Sequence, residues 1–466
     1  MFDKSFQAEE KSLVRKIHWV LLPQLMTIQF FQIHDRTTLN FGSVMGMLED
    51  IKLSQAEFNW SGAIIFVGYL TCQIPNAFLL HKLPLSKYLG VLVIGWGVTL
   101  LLTAISRSFA QVFVLRFVLG FLEAPAYPII FLIITIMYRR DEQATANTIF
   151  LLANGIVTVL GSIITFGMTY MHTFAGIRNW EWYYCIVART VVFGVVVFIF
   201  LPDGPRSRWF RLTPAQDAII DSRIQDNAVT VNKRVQRYQI MEAIREPRLY
   251  CYFFITLLTM MTNGCTILYN SKLIQDMGYS TKETVLLNIP QCIPDMIMTV
   301  VALFIRRRYN DSLCYIGAAS CAIAMAGILT LTFGTSTGIK LLGLYLCNSL
   351  DPIIFALMTS MGNNVAGYTK KIVYNGGWMV AYCLGNFIAP LLMTHRQAPQ
   401  YLGAMLTYAA GQGISIFLFL YARMIMAREM QRRKKLSIEG KLPPPPLDRD
   451  KLVMTDVENL HYVYML

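Results

Sequence analysis

Runs of apolar residues about twenty long, broken by short polar joints, recur along almost the whole chain. A helix rising about 1.5 Å per residue needs roughly that many to cross a hydrocarbon layer some 30 Å thick. Six such runs come first, among them "FNWSGAIIFVGYLTCQIPNAFLL" and "FAQVFVLRFVLGFLEAPAYPIIFLIITIMY". A polar stretch from Asp203 to Pro247 follows, and six more runs come after it, from "LYCYFFITLLTMMTNGCTILYN" to "YLGAMLTYAAGQGISIFLFLYA". The pattern predicts an all-α membrane protein with 12 transmembrane helices. The expected divisions are a segment 1–16, six spans over 17–202, a central loop 203–247, six spans over 248–423, and a basic, Pro-rich tail 424–466.

Composition agrees, since 55% of the 466 residues are hydrophobic and only 15% charged. Charge then sets the orientation, because Lys and Arg are retained in cytoplasmic connections. With the N-terminus inside, the inner side collects Lys11, Arg15, Lys16, Lys82, Lys87, Arg139, Arg140, the set from Arg206 to Arg248, Arg306 to Arg308, Lys370, Lys371 and "RRKK" at 432–435. The other side holds only Lys52, Arg107, Arg178, Lys272, Lys282, Lys340 and Arg396. Both termini are therefore expected to be cytoplasmic, and the net charge of +13 reads as an orientation signal. Nucleic acid is not expected as a partner, because no soluble basic surface with stacking aromatics is apparent.

The nine cysteines fall almost wholly inside apolar runs, without the paired spacing of a zinc site or disulfide framework. The six histidines, at 18, 34, 81, 172, 395 and 461, are scattered. No metal, no cofactor and no enzymatic constellation is expected. The charged opening "MFDKSFQAEEKSLVRK" and the spans that follow predict that the first apolar run directs insertion and is not cleaved. In the central loop, "LTPAQDAIIDSRIQD" predicts a short helix with Thr213 as N-cap, Pro214 at the first position and Gln216 closing a capping box. "GKLPPPPLDRD" reads as an extended, disordered stretch.

Polar residues within spans are the functional candidates, since each is costly in hydrocarbon. In segment four, Arg116, Gly120, Glu123 and Tyr127 return to nearly one azimuth. Segment one carries Gln29, Gln32 and Arg36 on one face, with His34 and Asp35 alongside. Segment seven has the stripe Thr259, Asn263, Thr266, Asn270; segment ten has Asn348, Asp351 and Thr359; segment eleven has Asn375, Trp378, Tyr382 and Asn386. Amide stripes fit helix knitting as well as ligand contact. Arg116 with Glu123 reads as a functional pair, because desolvating a buried pair can cost more than its attraction returns and a structural role would be served by apolar residues. Asp35 and Arg36 read as an ion pair near the entrance, and His34 as a satisfied polar residue. Asp295 and Arg189 read as facing neighbouring helices or the interface.

These residues carry a resemblance. "DRTTLNFGSVMGMLED", "YLTCQIPN" from Tyr69 to Asn76, "RFVLGFLEAPAYP", "LPDGPRSRWFRLT", "LLNIP", "NNVAGYTKK" and "LGNFIAP" together resemble the fungal allantoate permease family of the major facilitator superfamily, a branch that takes up organic anions and vitamins. The resemblance implies two pseudo-symmetric six-helix bundles and a central cavity lined chiefly by segments one, four, seven and ten. Wider organic-anion carriers, such as the vesicular glutamate and phosphate-type transporters, have an arginine matching Arg36 on the substrate carboxylate, and an arginine and glutamate matching Arg116 and Glu123 in proton coupling. The chain departs from the family at "DEQATAN", which lacks a following arginine, and at "WEW", where Glu181 stands for an arginine. Ala188 and Arg189 replace a glutamate–glycine pair, "HKLPLSK" lacks the acidic residue of the superfamily gate motif, and "FIRRRYND" gives it no obvious counterpart in the second half.

The expectation is a proton-coupled importer of a small organic anion (carboxylate, ureide or vitamin-like), monomeric and multi-pass in the plasma membrane, with an internal membrane as the alternative. Arg36, Tyr127, Asn263, Asn270, Asp351, Trp378 and Asn386 are the substrate-binding candidates, and Asp35, Arg116 and Glu123 the proton-coupling ones. A metabolite or drug exporter and a non-transporting sensor are the alternatives. The glycine–proline antiporter motif expected of an exporter is absent from "LLANGIVTVLGSIITFG".

Overall fold

A computed structural model of the chain describes residues 2–170, 178–227, 236–309, 311–439 and 454–465. Contacts divide the chain into two units, Met1–Val229 with Gly278–Ile289, and Thr230–Met277 with Pro290–Leu466. The stretch "GKLPPPPLDRD" at 440–450 lies outside the described residues.

Unit 1 opens with α1 (Phe2–Arg36), the short α2 (Thr38–Val44) and α3 (Met47–Ile51), then α4 (Gln55–Lys82) and α5 (Leu85–Ala104). The fourth span is broken into α6 (Phe109–Glu123) and α7 (Ala126–Met137) at Pro125, whose ring cannot supply a helical N–H. Then come α8 (Arg140–Met168), α9 (Asn179–Val187), α10 (Thr190–Phe200) and the central-loop helix α11 (Pro214–Asn227). Unit 2 begins with α12 (Arg237–Arg245) and α13 (Pro247–Asp276). The next helix, α14 (Thr281–Leu287), groups with unit 1, where it packs on α8. Unit 2 resumes with α15 (Cys292–Arg308), α16 (Leu313–Phe333), α17 (Thr337–Cys347), α18 (Asp351–Asn364), α19 (Tyr368–Leu392) and α20 (Leu402–Ile438).

Helices thus occupy all the apolar runs, and among the described residues nine helical stretches are long and apolar enough to cross a membrane. The helix start expected at Thr213 forms, and the same capping device recurs at two further helices. Ser54 and Glu57 make a reciprocal capping box at the head of α4, Ser280 and Glu283 repeat it at α14, and Thr213 and Gln216 exchange 3.3 Å hydrogen bonds at α11. Large apolar side chains such as Phe304, Phe417, Val192 and Ile74 point outward, as lipid contact requires.

Helix pairs close on glycine. A Cβ on Gly120 would collide with the Ile65 carbonyl of α4, and one on Gly68 with the backbone of α6, so these two helices meet backbone to backbone. In unit 2, Gly264 of α13 lies against Asn386 of α19, and Gly385 against Leu257.

Candidate functional site

The site in unit 1 is built where two helices stop. Arg36 is the last residue of α1 and Glu123 the last of α6, so both side chains leave final turns. The Arg36 Nε donates to Glu123 Oε1 at 2.6 Å, and its Nη2 donates to the Tyr69 hydroxyl at 2.5 Å. The guanidinium lies 5.4 Å from the Tyr69 ring centre and 5.7 Å from that of Tyr127, within cation–π range of both. Glu123 is fully buried, whereas the Arg36 side chain keeps 19% of its exposure. This partly exposed guanidinium carries the planar, forked donor geometry that suits a carboxylate.

Two sequence expectations are corrected here. Arg116 does not pair with Glu123: its Nη2 donates to the Thr38 hydroxyl at 2.9 Å and the Tyr184 hydroxyl at 2.8 Å. The shared azimuth was right, but seven residues of helix separate the two by roughly 10 Å along the axis, and Arg36 takes the acid instead. Nor do Asp35 and Arg36 form an ion pair, because neighbours on a helix diverge by about 100°. Asp35 is fully buried with no hydrogen-bond partner on either oxygen, and its electrostatic neighbours are Glu123, Arg116 and Arg36. His34 packs between Phe30, Tyr183 and the notch left by Gly161, and its buried Nε2 makes no hydrogen bond among the described residues.

In unit 2 the amides knit helices. Asn263 of α13 donates to Asn386 Oδ1 of α19 at 2.9 Å, and Asn386 donates on to the Tyr382 carbonyl at 2.8 Å. Asn348 donates to Asn270 Oδ1 at 3.2 Å, and Asn270 to Gln291. Trp378 lies beside Tyr382 with ring centres 5.5 Å apart. Asp351 is exposed at the head of α18, where its backbone N–H donates to Asp295 Oδ1 at 3.2 Å. Asp295 thus faces a neighbouring helix. Half-buried Asn263, Trp378 and Tyr382 still have open sides, whereas Asn386 is fully covered.

Sequence reasoning missed Tyr69, Thr38 and Tyr184 as members of the charge cluster. Each lies inside a quoted stretch ("YLTCQIPN", "DRTTLN" and the continuation of "WEW"), yet a lone tyrosine or threonine in an apolar run has no pattern of its own. The departures at segment six find a use: Glu181 receives Arg107 and the Arg178 N–H, and Trp180 donates to Asp50 at 2.7 Å.

Residues 25–390 match the family model for the Major Facilitator Superfamily. The allantoate permease of Saccharomyces cerevisiae is 28% identical, over 98% of this chain and 87% of its own. An uncharacterized transporter of Schizosaccharomyces pombe is 29% identical over 98% and 93%, and the thiamine pathway transporter of S. cerevisiae 26% over 97% and 86%. Among solved structures, a bacterial homologue of the human lysosomal transporter Spinster, inward-facing and unoccupied, superposes with a TM-score of 0.66 at 13% identity, covering 88% of this chain and 96% of that one. A D-xylose–proton symporter superposes with a TM-score of 0.64 at 10% identity, covering 85% and 96%. The family-model match over residues 25–390, the helical fold and the charge cluster carried on broken spans agree: this chain is a membrane transporter that belongs to the major facilitator superfamily.

Proposed function

We propose that the chain imports a small organic anion together with protons by alternating access. The observation that carries this reading is the ion pair of partly exposed Arg36 with fully buried Glu123. An incoming carboxylate competes with Glu123 for the Arg36 fork, and the displaced glutamate, deep in the protein, is then neutralised by taking a proton. Anion binding and proton uptake thereby become one event. Asp35, fully buried without a hydrogen bond, is a second carboxyl available to a proton while Glu123 holds Arg36. Arg116, held by Thr38 and Tyr184, supplies fixed positive charge to the cluster. Tyr127 flanks the guanidinium.

Relatives named for allantoate and for the thiamine pathway support a substrate class of carboxylates, ureide acids and vitamin-like anions. The charge pattern supports both termini in the cytoplasm. The test is Glu123→Gln in proteoliposomes. Exchange of internal for external anion is expected to persist while uptake against a gradient is lost, because the amide leaves Arg36 to the anion yet cannot carry a proton. Concentrative, pH-dependent uptake at the normal level would end the coupling claim.

A further inference from the structure

The segment 454–465, part of the basic tail in the sequence pattern, is built into unit 2. It opens with a capping box, Thr455 N–H to Glu458 at 2.9 Å and Glu458 N–H to Thr455 Oγ1 at 3.2 Å, and then lays Asp456 into a buried socket. One Asp456 carboxylate receives Arg248 from the start of α13, Lys370 Nζ from α19 at 2.8 Å, the Ala366 N–H at 3.2 Å and the Tyr464 hydroxyl at 2.9 Å. Further along, Met465 and the Asn364 side chain exchange hydrogen bonds of 2.7 and 2.8 Å, and the Tyr462 hydroxyl donates to the Asn363 carbonyl. Asn363, Asn364, Ala366 and Lys370 all belong to "NNVAGYTKK", the joint between α18 and α19. The joint turns at Gly367, φ +95°, where an added Cβ would lie 3.1 Å from the Thr455 methyl.

Two features separate this arrangement from an ordinary core. The contacts are mostly hydrogen bonds and ion pairs, with Tyr464 the main apolar anchor, wedged under the Arg248 and Arg433 guanidinium groups at 4.6 and 4.8 Å. The socket also stays provisioned without the segment: Arg248 keeps Glu246, Lys370 keeps Glu242 and Glu246, and Arg433 keeps Glu429. Removal of Asp456 leaves each buried cation with an acid, and the freed Asn364 and Ala366 groups can be hydrated, so departure leaves no orphaned charge.

We propose that "NNVAGYTKK" is a docking site for the chain's own segment 454–465, which acts as a reversible latch restraining the joint between α18 and α19. The docking stands on unit 2 alone; its effect on turnover rests on the carrier reading above.

The test keeps the full chain through folding. A protease recognition sequence placed after Leu447 is cut in the purified, reconstituted protein, the segment is washed away, and amine labelling of Lys370 is followed by mass spectrometry. Lys370, fully buried when the latch is docked, is expected to react at least tenfold faster after release. A synthetic peptide of residues 451–466 should restore protection, and the same peptide with Asp456→Lys should not. Anion exchange is expected to change at least threefold on release and to return with the peptide. Equal Lys370 reactivity before and after verified release, no protection by the peptide, or restored protection with an unchanged exchange rate would each overturn the latch. If no anion is exchanged even by the uncut protein, the carrier reading has failed separately, and Lys370 protection alone decides the docking.

Discussion

Arg36 holds a carboxylate, a phenol and two ring faces at once, and that determines what its replacement does. Arg36→Ala removes the fork and strands buried Glu123, so the informative comparison is with Arg36→Lys, which keeps the charge but offers a point ammonium in place of a planar pair of donors. Hydrogen bonds to a charged group are worth about 1.5–3 kcal/mol, which corresponds to roughly 10- to 150-fold in affinity. Both variants are expected to weaken anion binding by that order in a direct binding measurement, with Arg36→Lys recovering little; unchanged affinity in purified Arg36→Ala would remove Arg36 from the site. A second residue is set apart by its pH behaviour. Burial alone would raise the Asp456 carboxyl, but Arg248 and Lys370 outweigh it and hold it at about 2. Tyr464 hydroxyl also faces it, and Glu242 and Glu246 share Lys370. A depressed acid contributes stability that is complete above its ordinary value and lost as pH falls toward its folded one. Retention of the cut segment is therefore expected to be flat from pH 8 to 5 and to fail only below about pH 4, and a loss between pH 7 and 5 would contradict the Asp456 contacts.

At the scale of helices, the contact between α4 and α6 sets the position of the charge cluster, since Tyr69 follows Gly68 directly and Glu123 lies one turn beyond Gly120. Gly120→Val forces the two backbones apart, and overpacking of this kind costs about 1–3 kcal/mol or more. It is expected to lower the melting temperature in detergent and to weaken anion binding together, whereas Gly167→Ala, at a position with open space, should change neither. The same contact explains what the sequence could and could not convey. Spans are legible because every residue in twenty contributes to one hydropathy signal, and the Thr213 helix start is legible because capping is local. The partner of Glu123 is not, because it depends on where α1 and α6 stop and how closely their neighbours approach. Segment 454–465 was illegible for another reason: an irregular peptide held by hydrogen bonds has neither helical nor strand periodicity.

For the molecule as a whole, ion pairs within each unit sort the connections in the way the charge pattern sorts them. In unit 1, Arg139 and Arg223 both reach Glu10, and Lys16 reaches Gln216, so the residues before the first span, the joint after α7 and the central loop gather at one end. Arg107 pairs with Glu181 and Arg178 with Asp50, gathering the joints expected on the opposite side. In unit 2, Arg248, Lys370 and Arg433 converge on the segment 454–465, and the side-chain end of Arg306 reaches Met465. Connections tied by ion pairs of 2.5 to 3.1 Å cannot lie on opposite faces of a bilayer roughly 30 Å thick, so labelling one member of each group fixes the rest. Single cysteines introduced at Ser5, Arg206 and Lys435, in a background where reactive native thiols are replaced, are expected to resist an impermeant maleimide in intact cells and to react once the membrane is opened. Cysteines at Lys340 and Arg396 should react from outside at once. An externally reactive Lys435→Cys would overturn the cytoplasmic assignment of the tail and, through its shared contacts, that of Arg248, Lys370 and the α18–α19 joint with it.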